Sequence, residues 1–523
     1  MDCPQAWRLA HRWLDQCKNH ELCTRRPEHW LADEDWLPTR LIYWDPFDES
    51  HVRVVVVEEK TAENLRPYVT LSHCWGNVET LKLTTETIGQ LTAGIPTSAL
   101  PNLLFDAVTI ARKIGARSPW VDKMCIIQDS EDDWRREAAL MQHVYANTFC
   151  NIAALHARDD TEKILRSRNP AEYEPFKLLI RSHPSKTFHV FVHQPHAEHS
   201  LLSKRGWCFQ ESILSPRSLC FGKSQMEWEC RSHHASEAFP VFEQHSRPTS
   251  TISRMKSIIA FPSSQGSQRS ISIRPRTRYR YFHTWGDLVS DYSKRRLTKS
   301  SDKLIALSGV ARALSAAIGE YIAGMWKPYL DLELLWRNHN VSGLRTAYRP
   351  REYQAPSWSW ASLESGVCYP LWGRRLGRLQ TLWTIVETQV DEVDGDPFGQ
   401  LSGGFIRTRA HVVPSEGTQR PLRVDDNEGA ADVDGKTRLK YKVYGMETLD
   451  IYFDDERAGS LPAPSNIVLV PAIRDDGLRG DILGLVLCRA DESQYRRLGM
   501  FEIAASVGER EFSKWPESTI TII

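Results

Sequence analysis

Apolar positions follow two spacings along the first half of the chain. Tyr68, Val69 and Leu71 form a short apolar run that breaks at Ser72-His73-Cys74-Trp75-Gly76, which predicts a buried strand delivered into a polar turn. Leu103, Leu104, Ala107, Val108, Ala111 and Ile114 then recur at helical spacing, with Pro101 near the start and Gly115 as a stop. Residues 119–127, PWVDKMCII, are almost continuously apolar and of strand length, the pattern of a sheet covered on both faces. In 129–148 the residues Trp134, Ala138, Met141 and Tyr145 make one helical stripe, and Ser130 with Asp133 fits a capping box in its carboxylate form. FCNIAAL, 149–155, is another buried strand.

Strand, helix, strand, helix, strand predicts an α/β core built on a parallel, doubly wound sheet. Ligands in such sheets gather beyond the carboxyl ends of the strands, and the 72–76 turn lies at one of those ends. The core is bounded as residues 67–232. Before it, 1–66 form a lead-in, with a short helix (Trp7, Ala10, Trp13, Leu14) and a strand in LPTRLIYW. After it, 233–280 read as a basic, Ser-rich mobile insertion, since positions 246–280 hold eight Lys/Arg and no Asp or Glu. Residues 281–375 carry helical patterns. Residues 376–523 alternate short β-type runs with Gly/Asp/Pro turns, predicting an antiparallel β-rich unit with an acidic, poorly ordered loop near 424–434.

Composition narrows the classes. Among 523 residues, Lys+Arg and Asp+Glu each total 66, so global charge gives no reason to expect nucleic acid or an anionic membrane as partner. The longest apolar stretch, 304–326, is broken by Arg312 and Glu320 and is not a bilayer span. Eleven irregularly spaced cysteines and no visible secretory signal predict reduced thiols in a cytosolic or nuclear protein, with the cytoplasm the expected location. Cys17, His20 and Cys23 stand at three-residue spacing, but a zinc site needs a fourth ligand and only Cys3 or His11 is near in sequence. They are read as small residues packing a helix end, and no metal is assigned.

YVTLSHCWG (68–76), PWVDKMCIIQDSEDDWRREAALMQHVYANT (119–148) and RGWCFQESILSPRSLCFGKSQMEWEC (205–230) resemble, in order and spacing, the three blocks of the fungal heterokaryon incompatibility (HET) domain. LPTRLIYW upstream and APSWSWAS downstream look like the flanks of such proteins, so the resemblance covers about 38–365. It implies a protein of fungal non-self recognition and programmed cell death, with other HET or signalling proteins as partners and self-assembly as a mode of action. HET domains are in turn similar in pattern to Toll/interleukin-receptor (TIR) domains, some of which hydrolyse NAD through the Glu of a WCxxE segment. The matching residue is Glu211. NAD enters as a candidate substrate, and no cofactor is required.

The residues themselves support a role for Glu211. In a helix it shares a face with Trp207, and a carboxylate against an indole is desolvated and its pKa raised. Breaking the nicotinamide–ribose bond develops positive charge on the sugar, which a carboxylate stabilises, and neutral nicotinamide leaves without a general acid. The alternative is a Glu ion-paired to Arg205 or Arg217 that fixes the loop. Ser72, Trp75, Gly76, Asp122, Gln128, Arg205, Trp207 and Gln210 are the expected pocket lining, Gly76 allowing close backbone approach. Asp122 and Gln128 are also expected to hydrogen-bond loop backbone near the turn. A Cys74 nucleophile is disfavoured, because adjacent residues of an extended strand point apart and His73 is then poorly placed to activate it. Trp228 and Cys230 read as core, Glu137 as a solvated or ion-paired helix residue, and Trp358 with Trp360 as one face of a strand. No GxxxxGK[ST], GxGxxG or HExxH motif occurs, so ATP-driven assembly and zinc proteolysis lack support.

Overall fold

A computed structural model describes residues 1–24, 36–59, 62–167, 169, 176–183, 186–192, 200–241, 251–259, 275–339, 347–371, 376–414, 439–443, 446–455, 466–477, 480–506 and 512–523. The chain divides into two compact units, Met1–Ser267 and Gln268–Ile523.

The first unit opens with α1 (Pro4–Cys17), started by Pro4, whose missing N–H costs nothing in a first turn. Its apolar stripe of Ala6, Ala10, Trp13, Leu14 and Cys17 is buried, and Trp13 packs on Trp228 with ring centroids 6.4 Å apart. A short helix, α2 (Glu21–Thr24), comes next. Strands β1 (Arg40–Asp45) and β2 (Asp48–Val56) form an antiparallel hairpin.

The core sheet contains β3 (Tyr68–Ser72), β4 (Ser118–Trp120), β5 (Asn151–Ala154), β6 (Arg217–Phe221), β7 (Met226–Cys230) and β8 (His234–Ser236), in the order β8-β7-β6-β5-β3-β4. The four strands β4, β3, β5 and β6 are parallel, with Thr70 opposite both Trp120 and Asn151, and Asn151 opposite Ser218. Their residues are buried at every position, which is why their sequences show no polar/apolar alternation. The sheet is mixed, not parallel throughout: β6, β7 and β8 are joined antiparallel. Short β6–β7 and β7–β8 connections permit hairpins, whereas a parallel neighbour requires a crossover.

Helix α3 (Asn102–Lys113) connects β3 to β4. The strand expected over 119–127 is only three residues long and gives way at once to a helical turn, α4 (Asp122–Cys125). Asp122 causes the break, its carboxylate accepting the Lys123 backbone N–H at 2.7 Å, a local bond that competes with the strand ladder. Helix α5 (Glu131–Ala146) starts on Ser130, whose side chain accepts the Asp133 N–H. Asp133 does not close the box. Its carboxylate is buried against Arg40 at 2.7 Å and accepts the Ile127 N–H. Glu137, 1% exposed, lies 3.8 Å from the same guanidinium, so it is ion-paired and buried. A hairpin, Phe176–His183 with Lys186–Val192, precedes α6 (Trp207–Leu214).

The expected mobile insertion is in part a helix, α7 (Thr251–Ile259). Met255, Ile258 and Ile259 are buried and Lys256 donates to Ser218 Oγ at 3.1 Å, so an apolar stripe within a basic segment is enough to dock it. Residues 242–250 and 260–274 of that segment, and the acidic loop near 424–434, lie outside the described residues.

The second unit joins the helical and β-rich sections in one body. It holds α8 (Pro275–Tyr292) and α9 (Ile305–Ile318) and a large, almost wholly antiparallel sheet around strands Ile467–Asp475, Asp481–Arg489 and Gln494–Ala504. Leu469, Val486 and Phe501 form part of its core. Buried Arg497 binds Asp454 at 3.0 Å and lies 3.7 Å from the Trp336 ring. Trp358 and Trp360 are fully buried but not on a strand, since a 3-10 turn spans Trp360–Ser362. Ser359 Oγ caps that turn through the Ala361 N–H, and Gly324 O accepts the Trp360 indole at 2.7 Å. Among the described residues no helix is long and apolar enough to cross a membrane.

Candidate functional site

The four parallel strands all release the chain on the same side of the sheet. β3 runs into His73-Cys74-Trp75-Gly76, β4 into Asp122, and β5 into the 155–160 segment, while α6 packs against both α5 and β3. Residues far apart in sequence therefore converge at the carboxyl ends of β3 and β4.

Trp75 donates its indole N–H to Asp122 Oδ2 at 3.0 Å. His73 is buried between two carboxylates, with Nδ1 3.9 Å from Asp122 Oδ1 and Nε2 3.2 Å from Asp160 Oδ1. Asp160 is fully buried, and its other oxygen accepts from Thr80 Oγ1 at 2.6 Å and pairs with Lys123. Burial works to raise the Asp160 pKa, but hydrogen bonding and charge from His73, then Lys123 and Thr80, bring it down to about 2. The Lys123 ammonium also stands 5.4 Å from the Trp75 ring centroid.

Glu211 sits on α6, 5% exposed, and its Oε2 has no hydrogen-bond partner among the described residues. Burial and then the Asp122 charge push its carboxyl above the usual range, while the Ser72 hydroxyl, Arg205 and the Tyr145 hydroxyl act the other way. Ser72 is held by Asn151, whose Nδ2 donates to Ser72 Oγ at 3.1 Å. Arg205 donates to the His73 carbonyl. Burial opposes its charge, but Cys208, Asp122, Cys74 and Glu211 around it raise its pKa.

Ser72, Trp75, Asp122, Arg205 and Glu211 are thus brought together. Gln128 is not at the centre: its amide donates to the carbonyls of Asp122 and Ile126 and ties the end of α4. Trp207 is half-buried and packs edge-on against Trp134, ring centroids 6.2 Å apart. Gln210 is buried next to Glu211. Gly76 has φ +67°, and a Cβ there would overlap Asp159 Cβ. The close approach that requires glycine is therefore made by the 158–159 backbone. Arg217 lies at the other end of its strand, where it donates to the Cys23 carbonyl, and Glu211 makes no ion pair within 4 Å with it or with Arg205 among the described residues.

Burial raises the Cys74 pKa, with Arg205 opposing, and His73 is engaged with Asp122 and Asp160, so the thiol has no activating base here. Tyr145, Lys123 and Asp160 are site residues that the sequence motifs do not single out, and His73, weighed there only as a base for Cys74, is engaged by two carboxylates instead. The available signal is the Asp159-Asp160 pair in the segment that follows a buried strand, a region from which a carboxylate reaches a neighbouring strand end. Among the described residues, the His/Cys/Asp/Glu group close enough to share a metal ion lies elsewhere, at Cys17, His20, Cys23 and Cys230.

Chemically, the site offers one buried carboxylate with a free oxygen, a second carboxylate held by an indole, and a guanidinium beside them. When ionised, the two carboxylates favour a positive charge placed near Glu211, and the guanidinium opposes it.

Residues 68–211 match the family model described as Heterokaryon incompatibility protein (HET). The match starts on the first residue of β3 and stops on Glu211, so both its limits fall on elements that meet at this site. No curated protein and no solved structure matches the chain.

Proposed function

We propose that this chain, which carries a HET domain over residues 68–211, is an effector of fungal non-self recognition and regulated cell death, and that it acts by cleaving the nicotinamide–ribose bond of NAD at Glu211. The observation that carries this reading is the Glu211 carboxylate, buried at the strand ends with Oε2 unpartnered. A buried polar atom left without a partner is costly, and a cationic substrate group supplies what is missing. The resemblance of RGWCFQE to the TIR segment WCxxE supports the same assignment.

The positively charged pyridinium entering beside Glu211 would favour the ionised carboxylate and offset the burial that holds its pKa up. As the C–N bond breaks, its electron pair leaves with neutral nicotinamide and positive charge develops on the ribose, where the Glu211 carboxylate stabilises it. Water then adds to the sugar and loses a proton to solvent. Asp122, fixed by Trp75, adds negative potential, and the Arg205 guanidinium would offer its charge to phosphate oxygens of the substrate.

A second reading, a non-enzymatic module that recruits partners through the HET surface, is favoured by the depth of Glu211: a sugar ring reaches Oε2 only if the side chains around it move. Expression in a fungal host tests both readings. Wild type is expected to arrest growth, and Glu211→Ala, accumulating to the same level in folded form, to be harmless. A variant as toxic as wild type would overturn the enzymatic reading and leave the recruiting one.

A further inference from the structure

The lead-in and strand β7 meet in a cluster that the HET match does not touch. α1 ends on Cys17, the chain turns through His20, and α2 presents Cys23. The fourth member, Cys230, ends β7 and lies 210 residues along the chain from His20. One ligand atom from each of the four lies within 4.8 Å of every other. All four belong to the compact unit Met1–Ser267 and fall outside the matched residues 68–211. Neither Cys3 nor His11, the nearest candidates in sequence for a fourth ligand, joins the group, and Cys230 is more than a core residue.

We propose that Cys17, His20, Cys23 and Cys230 form a structural zinc site with three thiolates and one imidazole. The known spacings fit tetrahedral ligation. His20 Nδ1 is 3.6 Å from Cys230 Sγ and 3.9 Å from Cys23 Sγ. A Zn²⁺ with Zn–S near 2.3 Å and Zn–N near 2.0 Å sets ligand–ligand edges at about 3.5–3.8 Å. Three thiols and an imidazole in this arrangement select zinc over the harder cations, which prefer oxygen. Cys17, Cys23 and Cys230 are buried, so the site is closed on the thiol side, as in structural rather than catalytic centres.

The surroundings fit thiolates. The His233 backbone N–H donates to Cys230 Sγ at 3.3 Å and the Ser232 hydroxyl lies 3.7 Å from Cys23 Sγ. Such outer contacts orient and stabilise metal-bound sulfur. Two buried guanidiniums stand beside the cluster, Arg217 donating to the Cys23 carbonyl and Arg231 to the Leu22 carbonyl, each at 3.4 Å. Zinc with three thiolates and a neutral imidazole carries one net negative charge, which these cations balance. A disulfide would join only two of the three sulfurs and strand the third beside the imidazole. The zinc would pin α1 and α2 to the end of β7, at the edge where Trp13 already packs on Trp228.

The test is metal content and coordination of the full-length chain, purified without chelator and incubated with Zn²⁺ before desalting. Wild type is expected to retain one zinc per chain and Cys150→Ala, a buried thiol outside the cluster, to retain the same. Cys23→Ala and Cys230→Ala should fall to background. Because those variants risk misfolding, X-ray absorption on wild type supplies an independent reading: three sulfur ligands at about 2.3 Å and one nitrogen at about 2.0 Å. Wild type without zinc after incubation, a shell of only oxygen and nitrogen, a disulfide among these cysteines under reducing conditions, or full zinc content in both variants would each overturn the proposal.

Discussion

Arg205 donates a hydrogen bond to the backbone carbonyl of His73 at 3.2 Å, joining positions 132 apart in the sequence. That one contact fastens the segment leading into α6 to the turn after β3, and it sets a cation beside Asp122 and Glu211. Arg205→Ala should leave the two carboxylates without it and lower stability by about 1–3 kcal/mol, the cost of stranding a buried partner. Arg205→Lys should recover only part, because an ammonium on a differently shaped stem does not reproduce the planar guanidinium's approach to the His73 carbonyl. Urea unfolding of the three proteins gives both differences.

Glu211 carries a stability signature separate from any activity. Its carboxyl is held above the ordinary 4.5 by burial and the Asp122 charge, so over that interval the folded state binds more protons than the unfolded one. Stability contributed by the protonated form is present at low pH and is lost as pH rises from about 4.5. Glu211→Gln should remove this slope. It is expected to melt higher than wild type at neutral pH, with the gain shrinking to nothing in acid. A gain independent of pH would contradict the assignment.

Asp160 should behave with the opposite sign. Its folded pKa of about 2 lies below the ordinary 3.8, so its stabilisation is complete above about pH 4 and disappears as pH falls through 2. Asp160→Asn should therefore be less stable than wild type at neutral pH, and the two melting curves should converge in acid.

Gly76 is explained by the fold alone. With φ at +67° and the Asp159 side chain where a Cβ would go, Gly76→Ala should cost at least about 1–2 kcal/mol from backbone strain before any steric shift. Gly89, which has open space around its Cβ position, is the control: Gly89→Ala should be neutral or slightly stabilising.

The long periodic elements are legible in the sequence and the short polar arrangements are not. The stripe from Leu103 to Ile114 and the Ser130 cap fall on helices, because spacing and capping are local properties. The run 119–127 reads as one strand yet is not, because Asp122 bends the backbone through its own side chain, and an apolar run alone does not distinguish a strand from a buried turn. PSWSW misleads for a similar reason, its serine capping a turn where alternation suggests a strand. At the site, the resemblance to HET and TIR segments is what points to Glu211, with Ser72, Trp75, Asp122 and Arg205 expected around it. The pairing of His73 with Asp160 is not legible there, because it depends on parallel strands ending on one side of the sheet. Cys230 cannot be joined to Cys17, His20 and Cys23 from spacing, since only the sheet brings it there.

The central claim, that Glu211 serves NAD cleavage, is tested most directly by nicotinamide release. Purified wild type, concentrated to promote assembly and supplied with NAD, should release nicotinamide, and folded Glu211→Gln should lower the rate at least about a hundredfold, as loss of a transition-state charge partner does. No release by wild type under any assembled condition, or equal release by Glu211→Gln, would contradict it.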